Sequence, residues 1–523
     1  MVWQSHIPKL KSLILFSCGI GLISSVFGCT EPPPTPVLRF GLAQAPDNLD
    51  PRFATDATSA RINRLVYARL VDFDEASHPI PSLADWEQRS PTHYRFYLRD
   101  QNRTFHNNTQ LTAQDVKATY DFILNSKHAS PHRTTLSLIN RIETPTDDTV
   151  DFFLSRPDLL FPSYLVIGIL PLNLIRENHP FTDRPIGSGP FSVVDWIDDT
   201  RLQLRRQRDG QLFEFIRIPN PTVRTLKLLA GEIEMLQNDL PPELVSYLAQ
   251  DPRVQIQRER GANFAYLGFN MEDSIVGQEQ VRKAIGHAID RENIIRFVLG
   301  GAASPANALF PPQHWAGHSS LSGHMYSPEI ARTILKDAGF DESRPARLTY
   351  KTSSDPFRLR LATIIQDQLK QVGIHTVIQS YDWGTFYGDI KAGRFQMYSL
   401  AWVGVKTPDI FHYIFHSDAI PPNGANRGRF VNPGVDALIE QAEASQDLEE
   451  KRQVYKRLQG LLLQTLPYIP LWYEDHIFIA SKDIEGYHIA PDGNYDGLLH
   501  VERHPLQRMK HAKANSSSRP RLK

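Results

Sequence analysis

The segment Phe269–Gly300 reads FNMEDSIVGQEQVRKAIGHAIDRENIIRFVLG, and its apolar spacing is the starting point for predicting the fold. Apolar residues recur at the spacing of a helix with one buried face: Val281, Ala284, Ile285, Ala288 and Ile289. Asp290 is a typical N-cap for a second helical run, and Gly300-Gly301 is a typical helix end. The segment therefore predicts two helices that pack on a hydrophobic core.

The length and composition indicate a multidomain globular protein. A chain of 523 residues is too long for one hydrophobic core and predicts two or three domains. Its content of 41% hydrophobic and 22% charged residues is ordinary for such proteins. The formal net charge of −1 gives no argument for a nucleic-acid partner, and we expect none.

The N-terminus has the features of an export signal. Lys9 and Lys11 precede the apolar run Leu13–Phe27, which ends at Gly28-Cys29 and is too short for a convincing membrane span. We therefore predict a signal peptide over residues 1–28. The sequence Val26–Cys29 resembles a lipobox, in which Cys29 is acylated and anchors the protein to the membrane. Cleavage without a lipid is the alternative. The proline-rich residues 29–36 are then a tether.

Cysteine usage excludes several kinds of chemistry. The only two cysteines, Cys18 and Cys29, lie in the N-terminal segment. The remaining chain therefore has no thiol for a disulfide, a thiolate metal site or a cysteine nucleophile.

Two further patterns predict local structure. Thr112 and Asp115 approximate a capping box at the start of a helix. The alternating segments Arg347–Lys351 and Ile374–Ile378 flank a helical pattern, which predicts a βαβ unit with two parallel strands.

These motifs also resemble one protein family. The similar segments follow the family's order along most of the chain: Phe269-Asn270 with Val281–Arg291, FHNNTQLTAQDV at 105–116, PIGSGPF at 185–191 and LPYIPLWY at 466–473. The chain resembles the extracytoplasmic solute-binding proteins of family 5, the peptide- and nickel-binding receptors of ABC importers. The resemblance implies a non-enzymatic, monomeric receptor without a cofactor. It would reside in the periplasm or cell envelope and pass a peptide or peptide-like solute to ABC permease subunits.

The same resemblance implies an α/β, two-lobed, hinge-bending periplasmic binding protein fold of class II, of the large peptide-binding type, with an extra subdomain. The expected parts are lobe I at 37–58, 185–265 and 481–507, the extra subdomain at 59–184, and lobe II at 266–480. Residues 508–523 carry six basic and no acidic side chains, which predicts a disordered tail.

Aromatic residues at predicted strand ends are candidate ligand contacts. Trp383, beside Tyr381, and Trp402 match family positions that line the cleft, and the alternative is that both tryptophans belong to the core. Peptide-binding members have an aspartate after the second tryptophan that pairs with the ligand's amino group, but this chain has Val405 there. Asp409 is either the replacement or the cap of the following helix.

Polar candidates lie further along the chain. Asn426 and Arg427 follow a turn, and the planar guanidinium of Arg427 suits a ligand carboxylate; the alternative is a solvated surface arginine. His412 and His416 are spaced i, i+4, and His314, His318 and His324 lie close in sequence. Paired histidines can bind zinc or nickel, but without an attached carboxylate set we predict no metal site.

Three functions are compatible with the sequence. A receptor for oligopeptides or dipeptides is the main prediction, with a non-peptide solute such as a sugar or metal chelate as its variant. A solute-sensing lipoprotein is the second. A secreted hydrolase is the third, and the absence of H-E-x-x-H and G-x-S-x-G motifs argues against it.

Overall fold

The computed structural model describes residues 37–101, 103–198 and 200–504. The predicted signal peptide, the tether with Cys29 and the basic tail at 508–523 lie outside the described residues. Within the described part, no helix has the length and apolar character needed to cross a membrane.

Strands and helices alternate irregularly along the described chain. The strands are β1 (Leu38–Leu42), β2 (Val71–Phe73), β3 (Pro79–Pro81), β4 (Ala84–Ser90), β5 (His93–Leu98), β6 (Ile139–Thr146), β7 (Thr149–Leu154), β8 (Phe191–Asp198), β9 (Arg201–Arg206), β10 (Leu212–Arg217), β11 (Met235–Gln237), β12 (Val254–Phe269), β13 (Ala303–Pro305), β14 (Ala346–Ser353), β15 (Ile374–Tyr381), β16 (Met397–Trp402), β17 (Tyr468–Ser481), β18 (Ile484–Glu485) and β19 (Glu502–Arg503).

The α-helices are α1 (Ala57–Val66), α2 (Ala113–Leu124), α3 (Arg133–Leu136), α4 (Leu172–Arg176), α5 (Pro221–Leu229), α6 (Pro242–Leu248), α7 (Glu279–Ala288), α8 (Arg291–Asn293), α9 (Pro328–Asp337), α10 (Pro356–Gln371), α11 (Trp383–Ala392), α12 (Ile410–Phe415), α13 (Pro433–Ala444) and α14 (Leu448–Thr465).

One large sheet runs through both lobes. Its order is β15-β14-β16-β12-β17-β11-β1-β10-β9-β8, and β13 adds to β17. The two longest strands, β12 and β17, pair antiparallel from Val254 and Ser481 at one end to Gly268 and Tyr468 at the other. The first end continues through β11 into lobe I, and the second end through β16 into lobe II. A bulge between Glu259 and Asn263 interrupts this pairing, and bulges bend a strand pair locally.

Separate hydrophobic cores define the parts of the molecule. Lobe I has a core around β1, β10 and the segment after β17, whereas lobe II has one core on each face of its half of the sheet. The sheet β4-β5-β7-β6 and α2 enclose a further core, from Leu70 to Ile169. Helix α1 packs with the lobe I core through Ile62 and Leu65. Helix α1 therefore packs with the core of β1 and β10, and the start of the extra subdomain at residue 59 stays a prediction.

The starting segment folds largely as predicted. Helix α7 buries the predicted apolar stripe, and the Asp290 side chain accepts a hydrogen bond from the Asn293 backbone N–H as an N-cap. The second predicted helix is not a regular α-helix, because Ile294–Val298 forms a π-helical turn. In this turn the Leu299 N–H donates to the carbonyl of Ile294. Its end carries the expected left-handed glycines, with φ of 60° at Gly300 and 72° at Gly301. The predicted βαβ unit is confirmed, since β14 and β15 are parallel neighbours joined by α10.

The glycines of the PIGSGPF segment allow a close approach to α1. A Cβ atom at Gly187 would lie 2.1 Å from the carbonyl oxygen of Val66, and one at Gly189 would lie 2.5 Å from that of Leu65. The His106 ring fixes this segment, because its Nε2 donates to the Gly189 carbonyl at 3.0 Å and its Nδ1 faces the Gly187 N–H at 3.4 Å. His106 therefore has a structural role.

We predict that Gly187→Ala destabilises the protein by about 2–3 kcal/mol, because the added methyl group overpacks a site with no free space. Gly460→Ala is the matched control, because no atom beyond the neighbouring backbone of α14 itself lies within 4 Å of the Cβ position at Gly460. This control should stabilise the helix by about 0.5–1 kcal/mol. Urea unfolding of both variants measures the difference, and equal stability of the two would contradict the packing argument.

Candidate functional site: a cavity at the hinge side of lobe II

The candidate site is a cavity of ≈ 210 Å³ where β14, β16 and β17 meet the N-terminal parts of α10 and α11. Its wall is mostly apolar, with hydroxyl groups and one guanidinium interspersed. The lining residues are Ala265, Tyr350, Thr352, Ser353, Arg358, Leu361, Ile365, Trp383, Phe386, Ser399, Leu400, Ala401, Val403, Leu471 and Trp472. An apolar wall with a few placed polar groups is typical of small-molecule sites.

Two large apolar side chains of this wall face solvent. Trp383 is 59% exposed and Val403 is 46% exposed. Trp383 begins α11, which is positioned by its N-cap Asp382 through a hydrogen bond to the Thr385 N–H. Exposed apolar side chains grouped at a concave site indicate a surface that a ligand covers.

The charged group of the cavity belongs to Arg358. Its guanidinium Nη1 lies 2.8 Å from Oε1 of Glu474, which stands on the strand β17 shared by both lobes. Burial alone disfavours ionisation of Glu474, yet Arg358 lowers the pKa of this carboxyl below its usual value. The pair is therefore ionised at neutral pH and joins the cavity wall to the hinge strand.

A stack of aromatic rings and one cation connects Trp383 to the lobe II core. The Trp383 and Tyr387 rings are nearly parallel, at 7° and 5.4 Å between centroids. The Arg427 guanidinium lies 5.1 Å from the Tyr387 ring and 4.9 Å from the Trp402 ring, and it donates to the Tyr387 hydroxyl at 2.9 Å. Arg427 is only 7% exposed and forms no ion pair with a carboxylate of the described residues. It is therefore a cation held by ring faces.

The predicted site residues thus separate into distinct environments. Trp383 lines the cavity, whereas Trp402 packs on the core aromatic Tyr266, with ring planes 11° apart. Tyr381 ends β15, where its ring lies 5.5 Å from the Lys351 ammonium, and it does not line the cavity. Sequence analysis missed Tyr387, although its i, i+4 spacing from Trp383 on a helix was a usable signal.

Asn426 holds the loop that carries Arg427. Its Nδ2 donates to the carbonyls of His416 and Phe430, and its Oδ1 accepts from the Phe430 N–H. The side chain is 1% exposed. Its amide is committed to the backbone of its own loop, so it positions Arg427 and has no exposed group for a solute.

Asp409 lies apart from the cavity. It precedes α12 but its side chain makes no capping hydrogen bond, and its buried Oδ1 has no partner. Its charged neighbours are Asp158 of the extra subdomain and Glu443 of α13. Burial raises the pKa of Asp409 to about 6, with these carboxylates adding to the effect.

The histidines divide into two groups. The donor atoms of His412, His416 and Asp418 lie within 4.8 Å of one another, and this is the only such metal-compatible group in the described part of the chain. Its ring nitrogens are already engaged with carboxylates, including Glu443 at 2.9 Å from His412 Nδ1. His314 bonds the Lys406 carbonyl instead, and His318 and His324 join no such group.

An ion pair links the two lobes. Lys406, in the loop after β16, pairs with Asp492, in the lobe I segment after β17. Both side chains are 18% exposed. Burial opposes ionisation of Asp492, but Lys406 and then Arg64 lower the pKa of this carboxyl to about 2. The contact can form only when the lobes are close together.

We predict that Asp409→Asn stabilises the protein at pH 8 by about 1–3 kcal/mol. The pKa of Asp409 is raised in the folded state, so its ionisation destabilises the fold as pH rises from about 4 to about 6. This loss of folding stability persists at higher pH. The gain should therefore shrink towards pH 4. Thermal unfolding from pH 4 to 8 measures it, with the exposed Glu342→Gln as control. A gain that is equal at both ends of this range would contradict the assigned cause.

Comparisons with known proteins agree on the family. The family model "Bacterial extracellular solute-binding proteins, family 5 Middle" matches residues 78–420. The chain is 25% identical to the dipeptide-binding protein of Escherichia coli (strain K12), covering 93% of this chain and 98% of that protein. It is 27% identical to heme-binding protein A of Haemophilus influenzae, covering 88% of this chain and 91% of the relative.

Solved structures agree on the fold. The oligopeptide-binding protein AppA from Bacillus subtilis, in complex with a nonapeptide, has a TM-score of 0.78 at 23% identity, covering 90% of this chain and 99% of AppA. NikZ from Campylobacter jejuni, in complex with Ni(L-His), also has a TM-score of 0.78 at 23% identity, covering 90% of this chain and 100% of NikZ. The predicted two-lobed α/β periplasmic binding protein fold is thereby confirmed. The chain belongs to the bacterial extracellular solute-binding proteins of family 5.

Proposed function

We propose that this chain is the receptor of an ABC importer and captures short peptides in the cleft beside β17. The observation that carries the proposal is the exposed Trp383 at the mouth of a cavity lined by hydroxyl groups and Arg358. A tryptophan face accepts varied side chains without requiring particular hydrogen bonds. The relatives named as dipeptide-binding proteins support the same solute class.

The cavity size favours short solutes. At ≈ 210 Å³ it is smaller than the about 300–1,000 Å³ of pockets for drug-sized ligands. We therefore propose dipeptides and tripeptides as the preferred solutes and ABC permease subunits as the partners. The protein then acts as a monomer anchored outside the cytoplasm through acylated Cys29.

We predict that dipeptides stabilise the protein in a thermal-shift assay. At a concentration 100-fold above the dissociation constant, binding to the folded state alone adds about 2.7 kcal/mol to the free energy of unfolding.

Trp383→Ala should weaken binding about tenfold or more, because it removes an aromatic contact that the ligand covers. Phe297→Ala is the control, because Phe297 is 70% exposed and lies outside the cavity. If a sugar or a nickel chelate stabilised the protein and no peptide did, the proposed solute class would be wrong.

We also predict that Lys406→Met weakens peptide binding about three- to tenfold. The substitution removes the partner of Asp492 in the closed form and so favours the open form. Lys227→Met is the control, since it removes an exposed ion pair within lobe I. Calorimetric titration of both variants gives the affinities. Equal affinity of Lys406→Met and the wild type would show that the ion pair does not contribute to closure.

A further inference from the structure

A cluster of histidines and carboxylates lies at the end of α12, outside the cavity. His412 is in the last turn of α12, and the His416 N–H donates to its carbonyl at 3.1 Å, so the two rings project from the same side of the helix. The rings are stacked, with centroids 4.2 Å apart and planes at 11°. Asp418 lies in the 3₁₀ turn that follows. None of these three residues lines the cavity beside Trp383.

Asp418 bridges the two imidazole rings. Its Oδ1 lies 3.0 Å from Nε2 of His412 and 2.7 Å from Nδ1 of His416. Donor atoms that share one tetrahedral Zn²⁺ ion, with bonds of about 2.0–2.1 Å, lie about 3.3 Å from one another. Both observed distances are slightly shorter than that, so small rotations of the side chains would admit an ion between the three atoms.

The outer ring nitrogens face glutamates of α13. Nδ1 of His412 lies 2.9 Å from Oε1 of Glu443, and Nε2 of His416 lies 3.4 Å from Oε1 of Glu440. A histidine that binds a metal through one ring nitrogen usually donates its other N–H to a carboxylate, which fixes the ring and its tautomer. We expected no metal site because the sequence showed no carboxylate set attached to these histidines. The fold supplies that set.

Hydrogen bonds alone would require a costly charge state here. Each of the four ring nitrogens faces a carboxylate oxygen, and four hydrogen bonds would need a proton on every one of them. Neutral imidazoles carry one proton each, so both stacked rings would have to be cations. Nδ1 of His416 also faces the Asp418 backbone N–H at 3.3 Å, which favours a lone pair on that nitrogen. A divalent cation supplies two positive charges and leaves both rings neutral, the form that binds metals.

The cluster is held in place and is still accessible. His416 is 7% exposed, and its carbonyl accepts a hydrogen bond from Asn426 Nδ2 at 3.0 Å. Asp436 of α13 fixes the turn by accepting from the Ser417 N–H at 3.0 Å and from its hydroxyl at 2.7 Å. The side chain of Asp418 is 65% exposed. An ion can therefore enter from solvent and retain a water molecule.

We propose that His412, His416 and Asp418 bind one Zn²⁺ ion, with water as the fourth ligand. Glu443 and Glu440 accept hydrogen bonds from the outer N–H groups of the two rings. Imidazole nitrogens suit zinc-like ions, whereas Mg²⁺ and Ca²⁺ prefer oxygen ligands. The ion joins the end of α12 to the following turn and stabilises this part of lobe II. It is separate from the solute, and its binding does not depend on the proposed peptide function.

Calorimetric titration of the EDTA-treated protein with ZnCl₂, in the absence of any solute, tests the inference. The wild type should bind one equivalent with a dissociation constant of about 10 μM or lower. His412→Gln should lose about 100-fold in affinity because it removes a ligand. Glu443→Gln should lose about tenfold because it removes the partner of a ligand. The control His375→Gln removes an exposed histidine of β15 and should bind Zn²⁺ as the wild type does.

The outcomes separate the assignment from its alternatives. Failure of the wild type to bind Zn²⁺, or equal binding of Mg²⁺, overturns the proposal. Equal Zn²⁺ affinity of His412→Gln and the wild type would place the ion at other histidines and would also overturn it. Added Zn²⁺ should raise the unfolding temperature of the wild type but not that of His412→Gln. Asp418→Asn changes an exposed side chain and gives the same comparison if His412→Gln does not fold.

Discussion

The antiparallel pairing of β12 with β17 is the constraint on which the rest of the molecule depends. Together the two strands connect the lobes, because β17 pairs with β11 of lobe I and β12 pairs with β16 of lobe II. Backbone hydrogen bonds of a sheet resist stretching but allow bending where a bulge interrupts them. The register shift between Glu259 and Asn263 lies between the two halves. The same pair of strands therefore joins the lobes and provides a place where they can bend.

Buried arginines reinforce this frame by bonding backbone carbonyls. Arg282 of α7 is 4% exposed and donates to the carbonyls of Val276, Gly277, Thr465 and Leu466. Burial lowers the pKa of Arg282 to about 10, so it remains charged at neutral pH. Arg224 of α5 likewise donates to the backbone carbonyls of Ile218, after β10, and Asp239, after β11. A guanidinium has five donors in a fixed plane and can satisfy several carbonyls at once, which explains why these charges need no carboxylate partner.

Sequence patterns predicted elements whose signal is local. Helix α7, the Asp290 cap and the parallel β14–β15 pair follow from apolar periodicity and capping chemistry, which depend on neighbouring residues alone. The π-helical turn at Ile294–Val298 follows the same apolar pattern as an α-helix, so the sequence could not separate them. The structural role of Asn426 could not be predicted, because it depends on backbone carbonyls that a turn brings to its side chain. The surroundings of Asp409 could not be predicted either, because they include Asp158, which is far away in the sequence.

The strand order has a consequence for how the chain folds. Lobe I is completed by β17, whose residues Phe478–Ala480 pair with β11 at Met235–Gln237, more than two hundred residues earlier in the sequence. Contacts between such distant segments must overcome a large loop-closure entropy and form slowly. The first lobe cannot close its sheet until nearly all of the chain has been synthesised. A nascent chain of this design remains without its native hinge throughout most of translation.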